Sequence, residues 1–135
     1  MVTDDITTAL VGYLRENLTG EKVFKGEKTT NTKMERYVCV NCLPVYHGEA
    51  LNQSARVNVN VHTRRKTDGT CDTGAMNTFC DTVLSLFPKE EGIEDCEALD
   101  IDGFTFVRES ESNPTEDTDD TYYVNISLRV YFPSF

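Results

Sequence analysis

The clearest pattern along this chain lies between residues 55 and 87, where alternation with a period of two gives way to a helical period. Apolar and polar residues alternate over Ala55–His62, as expected for a strand that buries one face. Apolar residues then recur at helical spacing from Ala75 to Phe87, which predicts an amphipathic helix over Thr73–Phe87. Asp72 or Thr73 can cap this helix, and Pro88 ends it.

A second amphipathic helix is predicted over residues 3–18. Ile6, Leu10 and Leu14 belong to its apolar stripe, and Thr3 is a suitable N-cap. Carboxylates follow directly, where the helix dipole favours negative charge. Gly20 is a plausible stop.

The remaining elements are strands and polar connections. A short extended piece is predicted at Val23-Phe24, a strand at Tyr37–Val45 and another that starts at Phe104–Arg108, after an Asp-Gly turn at Asp102-Gly103. The most regular alternation is that of Tyr122–Phe132. Residues 25–35 and Glu109–Asp120 are polar and predict loops.

Together these elements predict an α+β fold in one domain, residues 1–135. We expect an antiparallel sheet of about four strands with two amphipathic helices on one face, in the order α-β-β-α-β-β. A length of 135 residues is sufficient for a hydrophobic core without disulfides.

The net charge of -10 narrows the functional classes. Binding to a nucleic-acid backbone needs clustered Lys and Arg, so it is not expected as the main task. No apolar run approaches the length that spans a bilayer, and no basic segment precedes an apolar run at the N-terminus. A cytoplasmic protein that does not bind membranes is the expectation.

The five cysteines do not predict a metal or disulfide site. Cys39 and Cys42 have the spacing of a zinc knuckle, but no second pair accompanies them. Positions three apart on a strand point to opposite faces, so the two thiols should diverge. Free core thiols are the expected state of Cys39, Cys42, Cys71, Cys80 and Cys96, with no cofactor and no metal.

No catalytic pattern is apparent. His47 and His62 lie in no recognisable triad, and His62 should be solvated on the polar face of its strand. The acidic run in Glu109–Asp120 lacks the alternating ligands and central Gly of a calcium loop. A solvated hairpin tip is therefore expected, and the chain is not expected to be an enzyme.

One candidate surface is the polar face of the last strand. Tyr123, Arg129 and Tyr131 lie there, and Tyr and Arg are enriched at protein interfaces. The alternative is that strand tyrosines simply fit a pleated surface. The aromatic tail that ends at Phe135 is also expected to be covered, by this domain or by a neighbour.

The whole pattern resembles the tail terminator and tail-completion proteins of long-tailed bacteriophages. The resemblance rests on four features: an N-terminal helix like Asp4–Leu18, a strand Arg56–His62 that leads into the helix Thr73–Phe87, a late hairpin with the long loop Glu109–Asp120, and a final strand Tyr122–Phe132.

The resemblance implies a non-enzymatic structural protein that forms a ring, usually of six copies. Such a ring caps the tail tube, contacts the tail-tube and head-completion proteins, and lets DNA pass without specific binding. It would assemble in the host cytoplasm and end in the virion tail. We further hypothesise that six carboxylates face the lumen and repel phosphates, namely Glu109, Glu111, Glu116, Asp117, Asp119 and Asp120.

Two other classes stay open. One is a small cytoplasmic ligand-binding or adaptor domain with no viral role, which uses its sheet or a groove beside the helices. The other is a small enzyme of unfamiliar type.

Overall fold

The computed structural model describes residues 2–29, 32–43, 52–87 and 99–133. These residues form two helices and seven strands. In chain order they are α1 (Val2–Asn17), β1 (Val23–Lys25), β2 (Arg36–Cys42), β3 (Asn52–Arg64), α2 (Thr73–Leu84), β4 (Leu99–Ile101), β5 (Phe104–Glu111), β6 (Thr115–Glu116) and β7 (Thr121–Pro133).

All seven strands belong to one mixed sheet. Six of them follow the order β1-β2-β3-β7-β5-β4, and β6 pairs with β7 beside the end of β5. β1 runs parallel to β2, with Val23 opposite Val38, whereas every other pair is antiparallel. The two 13-residue strands, β3 and β7, form the centre and pair along their whole length.

The predicted sheet of about four antiparallel strands in the order α-β-β-α-β-β is therefore wrong. The difference comes from strands of two or three residues, β1, β4 and β6, which are too short to show a period. The region Glu109–Asp120 is also not simply a loop, because β5 extends to Glu111 and β6 lies within it.

A single hydrophobic core lies between the sheet and the two helices. Alternate residues of the central strands point into it, including Val57 and Val59 of β3 and Leu128 of β7. The helices add their buried stripes, with Leu10 from α1 and Met76 from α2. Because one continuous core contains both stripes, both helices cover the same face of the sheet.

Helix α2 begins at the predicted position and ends earlier than predicted. The Asp72 carboxylate accepts a hydrogen bond from the Ala75 backbone N–H at 3.1 Å, so Asp72 is the cap. The helix ends at Leu84, three residues before Phe87. Phe87 is nevertheless buried, and its ring lies 6.1 Å from that of Tyr13 on α1.

The hairpin between β4 and β5 confirms the predicted Asp-Gly turn. Asp102 and Gly103 have φ values of 51° and 88°, which two-residue hairpin turns require. Further along β5, the register with β7 shifts between Arg108 and Ser110, which marks a β-bulge.

Several predictions fall outside the described residues. These concern the end of the strand Tyr37–Val45, His47, Pro88, Cys96 and Phe135. Among the described residues, neither helix combines the length and the apolar character that crossing a membrane demands.

Candidate binding face

The side of the sheet that faces away from the helices carries most of the functional candidates. No described helix packs on this side, which we call the open face. Strand register fixes its residues in rows that cross β2, β3 and β7. The rows are Tyr37–His62–Tyr123, Cys39–Asn60–Asn125 and Asn41–Asn58–Ser127, followed by Arg56 opposite Arg129.

The first row is an aromatic stack. The rings of Tyr37 and His62 are nearly parallel, at 9°, with centroids 4.4 Å apart. Tyr123 lies beside His62 on the opposite neighbouring strand, with the two ring centroids 5.4 Å apart. His62 is only 6% exposed, so the expectation of a solvated histidine is wrong. The sequence gives no local signal for this burial, because Tyr37 and Tyr123 come from distant parts of the chain.

The turn between β6 and β7 folds against this aromatic row. Asp119 accepts a hydrogen bond from the Tyr37 hydroxyl at 2.8 Å and pairs with the Lys28 ammonium at 2.6 Å. Asp117 places one carboxylate oxygen 3.5 Å from His62 Nδ1, and the Thr121 hydroxyl lies 3.3 Å from the same nitrogen. Residues from four separate segments therefore meet at one end of the open face.

Burial changes the proton affinity of these groups. It lowers the pKa of His62 below its ordinary value, although Asp117 and Asp119 oppose this shift. Burial, together with the hydrogen bond to Asp119, raises the pKa of Tyr37. Burial also works to raise the pKa of Asp119, but hydrogen bonds from Lys28 and Tyr37 outweigh it and hold that pKa below its ordinary value. At neutral pH, His62 and Tyr37 are therefore uncharged and Asp119 is ionised.

A groove of about 830 Å³ opens beside the aromatic row. Its floor is rich in carboxamides. The Asn125 side-chain amide donates a hydrogen bond to Oδ1 of Asn60 at 2.8 Å. The carboxamides of Asn41 and Asn58, by contrast, make no hydrogen bond to the residues that the structure describes. The groove can therefore offer several hydrogen-bonding groups to a bound molecule.

The opposite end of the open face is more apolar. Leu43 and Tyr131 are the exposed large hydrophobic residues of the described part of the chain, with 39% and 45% of their surface accessible. Tyr131 lies opposite Ser54. Leu43 follows Cys42, which faces the core, and its backbone N–H donates to the Arg56 carbonyl at 2.8 Å. Strand alternation thus places both side chains on the open face.

Arg56 and Arg129 lie between these two hydrophobic residues and share one carboxylate. Glu109 Oε1 is 2.9 Å from the Arg56 guanidinium and 3.2 Å from that of Arg129. The structure thus places the predicted interface residues Arg129 and Tyr131 together and Tyr123 at the groove end. Eight residues along a strand separate Tyr123 from Tyr131 by roughly 27 Å.

Most of the predicted acidic lumen residues contact cations of this same chain. Asp119 pairs with Lys28 and Glu109 with two arginines, as described above. Asp120 pairs with Lys33 and with Arg65, whose guanidinium also lies 3.7 Å from Glu116. Within the described residues Glu111 has no ion pair, and Asp117 lies beside only His62, which is uncharged at neutral pH. The orientation of these carboxylates toward a lumen stays a prediction.

The structure confirms the prediction that the thiols of Cys39 and Cys42 point to opposite faces of the sheet. Register places Cys39 opposite Asn60 on the open face and Cys42 opposite Val57 on the core face. Burial raises the pKa of both thiols to about 11, which keeps them protonated. Within the described ranges, no three His, Cys, Asp or Glu side chains cluster as metal ligands.

Comparison with known proteins does not assign this chain to a family. No protein-family model matches the chain, and neither does any curated protein.

Proposed function

We propose that this chain is a non-enzymatic assembly protein that binds copies of itself and partner proteins through the open face of its sheet. The observation that carries the proposal is the position of Leu43 and Tyr131. Both exposed large hydrophobic residues of the described chain lie on one end of that face, around Arg56 and Arg129. Tyr and Arg amid an apolar patch are typical of energetically important interface residues.

The specific form that we propose is a ring of the tail terminator type, which caps the tail tube of a long-tailed bacteriophage and joins it to the head. The sequence pattern described above motivates this form. A ring needs a heterologous interface, in which one surface of each copy meets a different surface of the next. An open sheet face on one side and a helix layer on the other provide two such surfaces.

Chemistry at the described site supports a binding role over a catalytic one. The Cys39 thiol is protonated, and the Tyr37 hydroxyl is held by Asp119. Nδ1 of His62 faces Thr121 and Asp117, and no serine, threonine or cysteine nucleophile lies in hydrogen-bonding reach of its Nε2 within the described residues.

Two measurements test the proposal. Tails assembled without this protein should be over-long and headless in electron micrographs, and tails of normal length joined to heads would reject the terminator form. Independently, Tyr131→Lys should weaken assembly in solution, measured as mass by light scattering. Thr67→Lys adds the same charge at an exposed position of the turn between β3 and α2, outside the open face and the helix layer, and is the matched control. Equal effects of the two variants would contradict an interface at the apolar end of the open face.

A second candidate function is favoured by the groove at the other end. A small ligand-binding or adaptor domain could use the roughly 830 Å³ space beside Tyr37 and His62. This candidate predicts a monomer or dimer in solution that assembles with no tail component.

A further inference from the structure

The groove end of the open face presents hydrogen-bond acceptors to which no described residue of this chain donates. We assign the proton of the neutral His62 ring to Nδ1, because the Asp117 carboxylate 3.5 Å away can only accept, whereas the Thr121 hydroxyl at 3.3 Å fits either tautomer. Nε2 is then an acceptor, and it makes no hydrogen bond within the described residues. Because no fully buried side-chain nitrogen or oxygen there lacks a partner, solvent must reach Nε2, and His62 lines the groove.

The charge of the groove favours a cationic occupant. Among the described residues, its lining contains the three carboxylates of Glu27, Asp117 and Asp119 but only one ammonium, that of Lys28. Lys28 pairs with Asp119, so within the part of the chain that the structure describes Glu27 and Asp117 have no full counter-charge. A groove with excess negative charge attracts cations and repels phosphates.

The floor of the groove favours an extended polypeptide over a small cation. The carboxamides of Asn41 and Asn58 lie opposite each other on β2 and β3 and have no intramolecular hydrogen bond in the described chain. A carboxamide both donates and accepts, so it matches the N–H and C=O of a peptide unit. The Tyr123 hydroxyl lies at the groove wall and also has no hydrogen-bond partner among the described residues.

We propose that this groove binds an extended, basic segment of a partner protein, with an Arg or Lys N–H donating to His62 Nε2 and its charge balanced by Asp117 and Glu27. This inference rests on the proposed function and assigns the chemistry of one partner. A second copy of this chain is a poorer occupant. Its net charge is -10, and within its basic run at Arg64–Lys66 the central Arg65 is already paired with Asp120.

The test uses the isolated full-length chain and a blocked pentapeptide of alternating threonine and arginine. Nuclear magnetic resonance should show amide shifts at Asn41, Asn58 and Tyr123, and an imidazole nitrogen shift at His62 Nε2. The same peptide with citrulline in place of arginine keeps the shape and loses the charge, and its affinity should be at least tenfold lower. Equal affinity for the two peptides would overturn the proposal.

Matched variants test the assigned site. Asp117→Asn should weaken binding of the arginine peptide about tenfold, equivalent to about 1.4 kcal/mol. Asp5→Asn, on the exposed start of α1, changes the net charge equally and should leave the affinity within twofold. Similar losses in both variants, or shifts confined to other acidic surfaces, would overturn the site.

Two further outcomes would reject the proposed occupant. Free arginine amide that binds as tightly as the pentapeptide would indicate a simple cation site. Unlabelled chain that reproduces the peptide shifts would show that another copy fills the groove. These measurements need no ring and no tail, so they can fail while the assembly experiments succeed, and the reverse also holds.

Discussion

The hydrogen bond between Tyr37 and Asp119 gives the most direct test of how the open face is organised. The Tyr37→Phe variant removes only the hydroxyl, and the ring keeps its stack on His62. A hydrogen bond to a charged group contributes about 1.5–3 kcal/mol. The Asp119 side chain is 27% exposed and retains its ion pair with Lys28, and solvent screening therefore reduces the expected loss to about 1–2 kcal/mol.

Chemical denaturation of the variant and of the wild-type chain at neutral pH measures this loss as a change in the free energy of unfolding. In a chain of this size the melting temperature should fall by roughly 4–8 °C. The matched control is Tyr123→Phe, because the Tyr123 hydroxyl of the wild-type chain makes no hydrogen bond within the described residues. That variant should stay within about 0.5 kcal/mol of the wild type.

A double-mutant cycle separates the hydrogen bond from other effects of the substitution. Combining Tyr37→Phe with Asp119→Ala should give a coupling energy of about 1 kcal/mol, because the second change has no hydrogen bond left to remove. Coupling below about 0.3 kcal/mol would refute the reasoning, since the two side chains would then act independently. Equal losses in Tyr37→Phe and Tyr123→Phe would refute it as well.

Three further predictions concern stability. Because burial lowers the pKa of His62, its contribution to the free energy of unfolding is complete above the ordinary pKa of 6.5 and is lost as the pH falls through the lower folded value. The free energy of unfolding should therefore be smaller at pH 5 than at pH 7.5, and in His62→Gln the part of this difference that comes from His62 should be absent. Asp72→Ala should cost about 1 kcal/mol and Asp72→Ser only a few tenths, and a large loss in both would reject the capping role. Leu10→Ala should cost about 2–5 kcal/mol in denaturant unfolding, because Leu10 is fully buried, and a loss below about 1 kcal/mol would contradict its place in the core.

The two helices and the long central strands were accessible from the sequence because each repeats its own pattern. The stripe in α1 and the alternation in β7 extend over several turns or residue pairs, so the burial of one face determines the period. The Asp102-Gly103 turn was accessible for a different local reason, since its backbone needs positive φ angles. Periodicity and turn chemistry are local properties, and a single segment displays them completely.

Tertiary structure decided the sheet order and the open face. The three residues of β1 become a strand only because β2 lies beside them, and β5 extends to Glu111 because β7 lies beside it, where Glu111 pairs with Ile126. His62 reads as a solvated strand residue until Tyr37 and Tyr123 cover it. Strand partners far apart in the sequence set burial, pKa and ion pairing, and no local period records which partners meet.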